Sequence, residues 1–130
     1  MLARALAVMT LLFPVAAVAD PCTALLPAPG ASFSGPVRHV GDGDSLCVGT
    51  SADPTTWIEV RLEDFDAPEL GDPGGVRAKA ALQAIVRDRN LICRAGHRSY
   101  DRVVARCSLN GASVGELMRR RGIREGGRGQ

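Results

Sequence analysis

The sequence predicts a mainly β fold with helices (α+β): a five-stranded, OB-like β-barrel with two packed helices in the order βββαββα. Three observations carry this. Period-two alternation recurs in five short runs, the period changes to a helical one after the third and again after the fifth, and turn residues separate the runs. An open α+β sandwich is the alternative packing of the same elements.

Before the first strand lie two non-barrel segments. Arg4 is the only charged side chain before Asp20, Ala5 to Val18 is a nearly unbroken apolar run, and Ala17-Val18-Ala19 is a small-x-small pattern. This is the form of an export signal, residues 1–19, cleaved after Ala19. A membrane anchor needs about 20 apolar residues, and this run is shorter and broken by Pro14. Residues 20–35, with Pro21, Pro27, Pro29, Gly30 and Gly35, read as an irregular arm tethered by Cys22.

The domain is expected over residues 36–123. Strand-like runs occur at Val37–Val40 and Ser45–Gly49, and in Thr56–Phe65 the residues Ile58, Val60 and Leu62 share one face. After a Pro- and Gly-rich loop from Ala67 to Gly75, Ala78, Ala81, Leu82, Ile85 and Val86 form a helical stripe. Alternation returns in Leu91–Ala95 and Val103–Leu109, followed by the turn signal Asn110-Gly111. Ser113-Val114-Gly115-Glu116 fits a capping box for a second helix that buries Val114, Leu117 and Met118 and stops at Gly122. Residues 124–130, with three glycines, read as a flexible tail.

Charge is unevenly distributed in a chain whose formal net charge is only +2. From Asp42 to Asp72 nine carboxylates face one cation, Arg61, whereas from Arg87 to Arg128 eleven arginines face four carboxylates. Such a chain can set a cation site beside a polyanion site. The four cysteines permit three pairings, and export favours two disulfides. A four-thiolate zinc site is disfavoured because no Cys-x-x-Cys pair occurs. Cys93 and Cys107 fall on runs expected to be neighbouring strands, which favours 93–107 with 22–47.

Three segments carry chemistry: Val40-Gly41-Asp42-Gly43-Asp44-Ser45-Leu46, Arg61-Leu62-Glu63-Asp64-Phe65-Asp66-Ala67-Pro68-Glu69 and Tyr100-Asp101-Arg102-Val103-Val104-Ala105. Asp44 and Asp66 are hard oxygen ligands suited to calcium, less so to magnesium. Glu69, aimed separately across Pro68, can take a proton from water. Arg61 and Arg102 offer planar forks that match phosphate oxygens, and the chain has a single lysine, Lys79.

Together, in this order and spacing, the segments resemble the staphylococcal nuclease (thermonuclease) family, over about Val37 to Ile123. The resemblance implies an OB-like barrel with packed helices and a Ca²⁺-dependent endonuclease that cleaves DNA and RNA with little sequence preference, leaving 3′-phosphates. By matching positions, Asp44 and Asp66 would ligate Ca²⁺ through carboxylates and Ala67 through its carbonyl, with Asp42 in support. Glu69 would be the general base, Arg61 and Arg102 would hold the scissile phosphate, and Tyr100 would contact a neighbouring phosphate. Ser45 stands where the family usually has threonine, Ala67 where some members have threonine, and Asp101 where it often has glycine. The expected protein is a monomer, secreted or periplasmic, without stable membrane association after signal cleavage. The rival readings are a non-catalytic OB-fold module binding nucleic acid or another polyanion, and a disulfide-stabilised structural domain.

Overall fold

The computed structural model describes residues 7–11 and 20–126. Most of the expected export signal, its cleavage site included, and the last four residues of the tail lie outside them. Among the described residues no helix is long and apolar enough to cross a membrane.

The elements are β1 (Ser32–Asp42), β2 (Ser45–Val48), β3 (Ile58–Leu62), α1 (Gly75–Val86), β4 (Asn90–Ser99), β5 (Arg102–Leu109), the short β6 (Ala112–Ser113) and α2 (Val114–Arg120). The strands run in the order β3-β2-β1-β4-β5-β6, and β3 also pairs with β5. That last pairing is parallel, through Val60 and Val103, Arg61 and Val104, Leu62 and Ala105. It closes the first five strands into a barrel, the OB-like α+β fold expected from the element order.

Strand β1 is longer than the alternation suggested, because it reaches back through Gly35-Pro36. Residues 32–36 pair with β4, and residues 37–42 pair with β2. Pro36 has no N–H to offer a ladder, and it sits where the strand changes partners, so its missing donor costs little. The carbonyl of Pro36 still accepts from Gly49 N–H at 3.1 Å.

The predicted alternation places Leu46, Val48, Val60, Leu62, Leu91, Val103 and Ala105 inside the barrel, all nearly inaccessible. A one-residue slip in β4 or β5, where buried and accessible residues alternate, would turn the apolar set to solvent, so burial fixes their register. Phe65 joins this core, as do Ala78, Leu82, Ile85 and Val86 of the α1 stripe and Val114 and Met118 of α2. Ala81 and Leu117 pack against it only in part.

Local signals act much as read. Asn110 and Gly111 both take positive φ, 50° and 83°, in the tight turn from β5 to β6. Ser113 Oγ accepts the Glu116 N–H at 3.1 Å and so caps α2. The reciprocal half of the capping box is replaced. Glu116 turns its carboxylate to Arg119 (3.3 Å) and Arg120 (3.5 Å), one turn ahead on its own face. Gly122 ends the helix at φ 74°.

Both favoured disulfides are present, and no cysteine is free among the described residues. Cys93 and Cys107 stand directly opposite on β4 and β5. Cys22–Cys47 fastens the arm across β2, where Thr23 and Ala24 donate N–H bonds to Pro54 and Trp57 carbonyls.

Candidate functional site

The first carboxylates come from the turn between β1 and β2. Asp42 Oδ1 accepts the Asp44 N–H at 3.0 Å and the Ser45 hydroxyl at 2.7 Å, a self-bonded aspartate turn. Gly43 between them cannot be larger, since an added Cβ would lie 2.6 Å from the Cβ atoms of both Ala67 and Ala78. The turn, the loop after β3 and α1 therefore meet with little space to spare. Ala67 is itself buried in this contact, a physical reason for a small side chain there.

Arg61 projects from β3 and organises the loop that follows. Its Nη1 donates to the carbonyls of Leu62 and, at 2.8 Å, Phe65. Its Nη2 lies 2.6 Å from Asp66 Oδ1 and 3.3 Å from Asp44 Oδ2. One guanidinium nitrogen thus faces both carboxylates expected to bind a cation. Asp44 Oδ2 also accepts the Ala67 N–H at 2.7 Å. Four of the residues singled out in the sequence, Asp44, Arg61, Asp66 and Ala67, form one connected unit.

The electrostatics of the unit are uneven. Burial, reinforced by the neighbouring Asp42 carboxylate, raises the Asp44 pKa to about 7, against the opposing pull of Arg61 and the Ala67 N–H. Burial also works on Asp42, but hydrogen bonds from Ser45 and Asp44 and the field of Arg102 outweigh it and hold its carboxyl below the usual range. A third acid, Glu59, is buried on β3, and its pKa is raised by that burial and by Asp20 and Asp101.

Arg102 opens β5 one strand away from Arg61. Ser99 and Arg102 pair across the hairpin turn made by Tyr100 and Asp101. Among the described residues the ion pairs engage His39, Arg61, Arg119 and Arg120, and Arg102 has none, not even with adjacent Asp101. Its charge reaches Asp42 and Glu59 only through space. Tyr100, with φ 56°, stands at the turn tip and is 92% exposed. Glu69 is exposed and, with Ala67, Asp72, Arg77 and Glu125, lines a hollow of about 710 Å³. Arg119, one of three clustered arginines, is engaged with Glu116 and the Asp64 carbonyl at the helix end.

Two residues that the sequence did not single out hold the site from behind. Glu125 Oε1 accepts the Asp66 N–H at 3.0 Å, and Gly126 N–H donates to the Asp66 carbonyl at 2.6 Å. No motif marks them; only the return of the chain past the loop brings them there.

Whether these residues suit a metal turns on the donor set. Among the described residues no three or more His, Cys, Asp or Glu side chains gather where they could hold one ion. The set is instead two carboxylates facing a single point of positive charge, one of them buried and reluctant to ionise alone. Carboxylate oxygens are hard donors of the type calcium takes, and here Arg61 Nη2 lies within 3.3 Å of both.

No family model matches the chain. A protein of Haemophilus influenzae named "Uncharacterized endonuclease" is similar to it, 34% identical over 70 residues, which are 53% of this chain and 38% of that protein. The similar region thus spans well under half of the relative's length.

Proposed function

We propose that this protein is an exported, calcium-dependent nuclease of the staphylococcal-nuclease type, hydrolysing phosphodiester bonds of DNA, RNA or both with little sequence preference. The observation that carries the reading is the Asp44–Arg61–Asp66 unit, where one guanidinium nitrogen lies within 3.3 Å of both carboxylates. The name of the H. influenzae relative, an endonuclease, supports the nuclease part of the reading alone.

In this reading Asp44, Asp66 and the Ala67 carbonyl would hold Ca²⁺, and the chemistry it would supply is polarisation of a phosphoryl oxygen. Glu69, exposed at the rim of the hollow, accepts the proton of the attacking water. Arg102, in no ion pair among the described residues, takes a phosphate oxygen in its fork, and Arg61, which holds the Asp66 loop and faces both carboxylates, turns a nitrogen to the phosphate by giving up part of that hold. Both guanidinium groups oppose the charge that grows on the phosphoryl oxygens. Tyr100, exposed at the hairpin tip, contacts a neighbouring phosphate. Export rests on the signal-like residues 1–19 and on the two disulfides.

A zymogram of the oxidised mature chain on DNA and on RNA, with Ca²⁺ or with chelator, tests the proposal. Clearing of either substrate only with Ca²⁺ is expected. Binding without cleavage in Ca²⁺ would replace the enzyme with a non-catalytic polyanion-binding module.

A further inference from the structure

We propose that the outer face of β4 and β5 is a second binding site for the phosphodiester backbone of the same nucleic acid, centred on Arg94 and Arg106. The choice of ligand rests on the function proposed above; the site itself rests on separate residues.

Arg94 and Arg106 are paired directly across the two strands, and both are exposed. Like charges facing one another across a ladder destabilise it. Among the described residues neither arginine takes part in an ion pair. Their neighbours on the inner face, Cys93 and Cys107, are also opposite each other and joined by a disulfide. Two unneutralised forks are thus mounted side by side on a crosslinked backbone, where an anion removes the repulsion between them.

The surroundings suit a phosphate ester. The arginines line a hollow of about 540 Å³ with Ser32, Ser108, Ser113 and Glu63. Ser113 Oγ accepts from Glu116, which leaves its own O–H to donate. Serine hydroxyls beside arginines are the usual partners of backbone phosphates. Ile92, 66% exposed on the same face, adds an apolar surface to the lining of the hollow.

The position relative to Arg102 supplies the remaining argument. Arg102, Val104 and Arg106 alternate with the buried Val103 and Ala105, so they share the outer face of β5. Four residues of strand separate the two arginines by about 13 Å. A nucleic-acid strand held at Arg102 can run along this face to Arg106 and Arg94. Among the described residues Glu63 is the one carboxylate lining the hollow, and it works against such binding.

The test compares single-stranded DNA of about 12 nucleotides, long enough to span an OB-type groove, with a strand of about 3 nucleotides. Binding to the full mature oxidised protein is followed by fluorescence anisotropy in chelator, over a range of salt. For Arg94→Gln/Arg106→Gln the long strand should bind about tenfold more weakly, and the slope of log affinity against log salt should fall by about 1.4 for two lost contacts. The short strand should bind as before, the melting temperature should hold or rise, and Glu63→Gln should tighten the long strand. An unchanged affinity and slope for the long strand, an equal loss on both lengths, or a parent protein that binds the long strand no better than the short one would each overturn the site. Cleavage of the long strand in Ca²⁺ reports on the nuclease reading separately, because binding in chelator does not depend on catalysis.

Discussion

Glu125 accepts the backbone N–H of Asp66 across 59 residues of sequence. Asp66 is thereby fixed on three sides, since Gly126 holds its carbonyl and Arg61 its carboxylate. Groups that orient a ligand without touching the metal commonly contribute 10- to 100-fold to affinity or activity. Glu125→Ala is therefore expected to weaken calcium binding by about that factor, and Glu125→Gln, which keeps an acceptor oxygen, by much less. Calcium titration followed by calorimetry checks it. Parent-like affinity in the alanine variant would show that the clamp on Asp66 is dispensable.

The buried Asp44 gives the site a pH dependence. Its folded pKa is raised to about 7 from 3.8. A group raised in this way binds its proton more tightly in the folded state. Its contribution to stability is complete below about pH 4 and is lost as pH rises toward 7. In the proposed calcium site Asp44 would bind in its ionised form, so calcium binding would displace that proton below pH 7. The rise in melting temperature on adding Ca²⁺ should be larger at pH 8 than at pH 5.5, with the calcium-free protein losing stability between those values through this group. An equal calcium effect at both values would contradict the assignment.

Catalysis should divide Glu69 and Arg102 from the supporting residues. Glu69→Gln keeps size and hydrogen bonding but not the base, and should lower turnover by at least ~100-fold with substrate affinity little changed. Arg102→Lys keeps the charge but not the fork, and should also lower turnover markedly. Steady-state rates on a defined oligonucleotide decide both, and parent rates in the two variants would remove these residues from the catalytic set.

How far the sequence reaches depends on the range of the interaction. The barrel was legible because alternation at Ile58, Val60 and Leu62, and at Val103, Ala105 and Cys107, is set locally by which face is buried. The turn Asp42-Gly43-Asp44 was legible for the same reason, as its hydrogen bonds span two and three residues. The extension of β1 through Pro36 was not, because it depends on where the strand changes partners. Nor could spacing show that Arg61 stands between Asp44 and Asp66, which follows from the pairing of Ser45 with Arg61 across β2 and β3. The hold of Glu125 and Gly126 on Asp66 leaves no local trace, and a tail rich in glycine gives no periodicity from which to read it.

The two disulfides should differ in what they contribute. Cys93 and Cys107 are 14 residues apart and fully buried in the barrel, and their strands cannot separate without loss of the core. Closing a loop of about 15 residues is worth roughly 3 kcal/mol through the unfolded chain. Replacing both by alanine should cost about that much, with a further penalty for the space left inside. Cys22–Cys47 closes a longer loop, 25 residues, for which chain entropy alone suggests at least as much. Among the described residues the stretch around Cys22 is otherwise held by the Thr23 and Ala24 N–H bonds to the 54–57 turn and by the Asp20–His39 contact, while Gly30 and Ala31 bond Ala95 at the arm's far end. Without the crosslink the arm can detach while the barrel stays folded, so the cost is limited to the arm's own docking. Urea unfolding of Cys93→Ala/Cys107→Ala should therefore show the larger loss, and Cys22→Ala/Cys47→Ala the smaller one together with faster proteolysis near the N-terminus. The reverse order would mean that the arm, not the β4–β5 ladder, limits unfolding of the barrel.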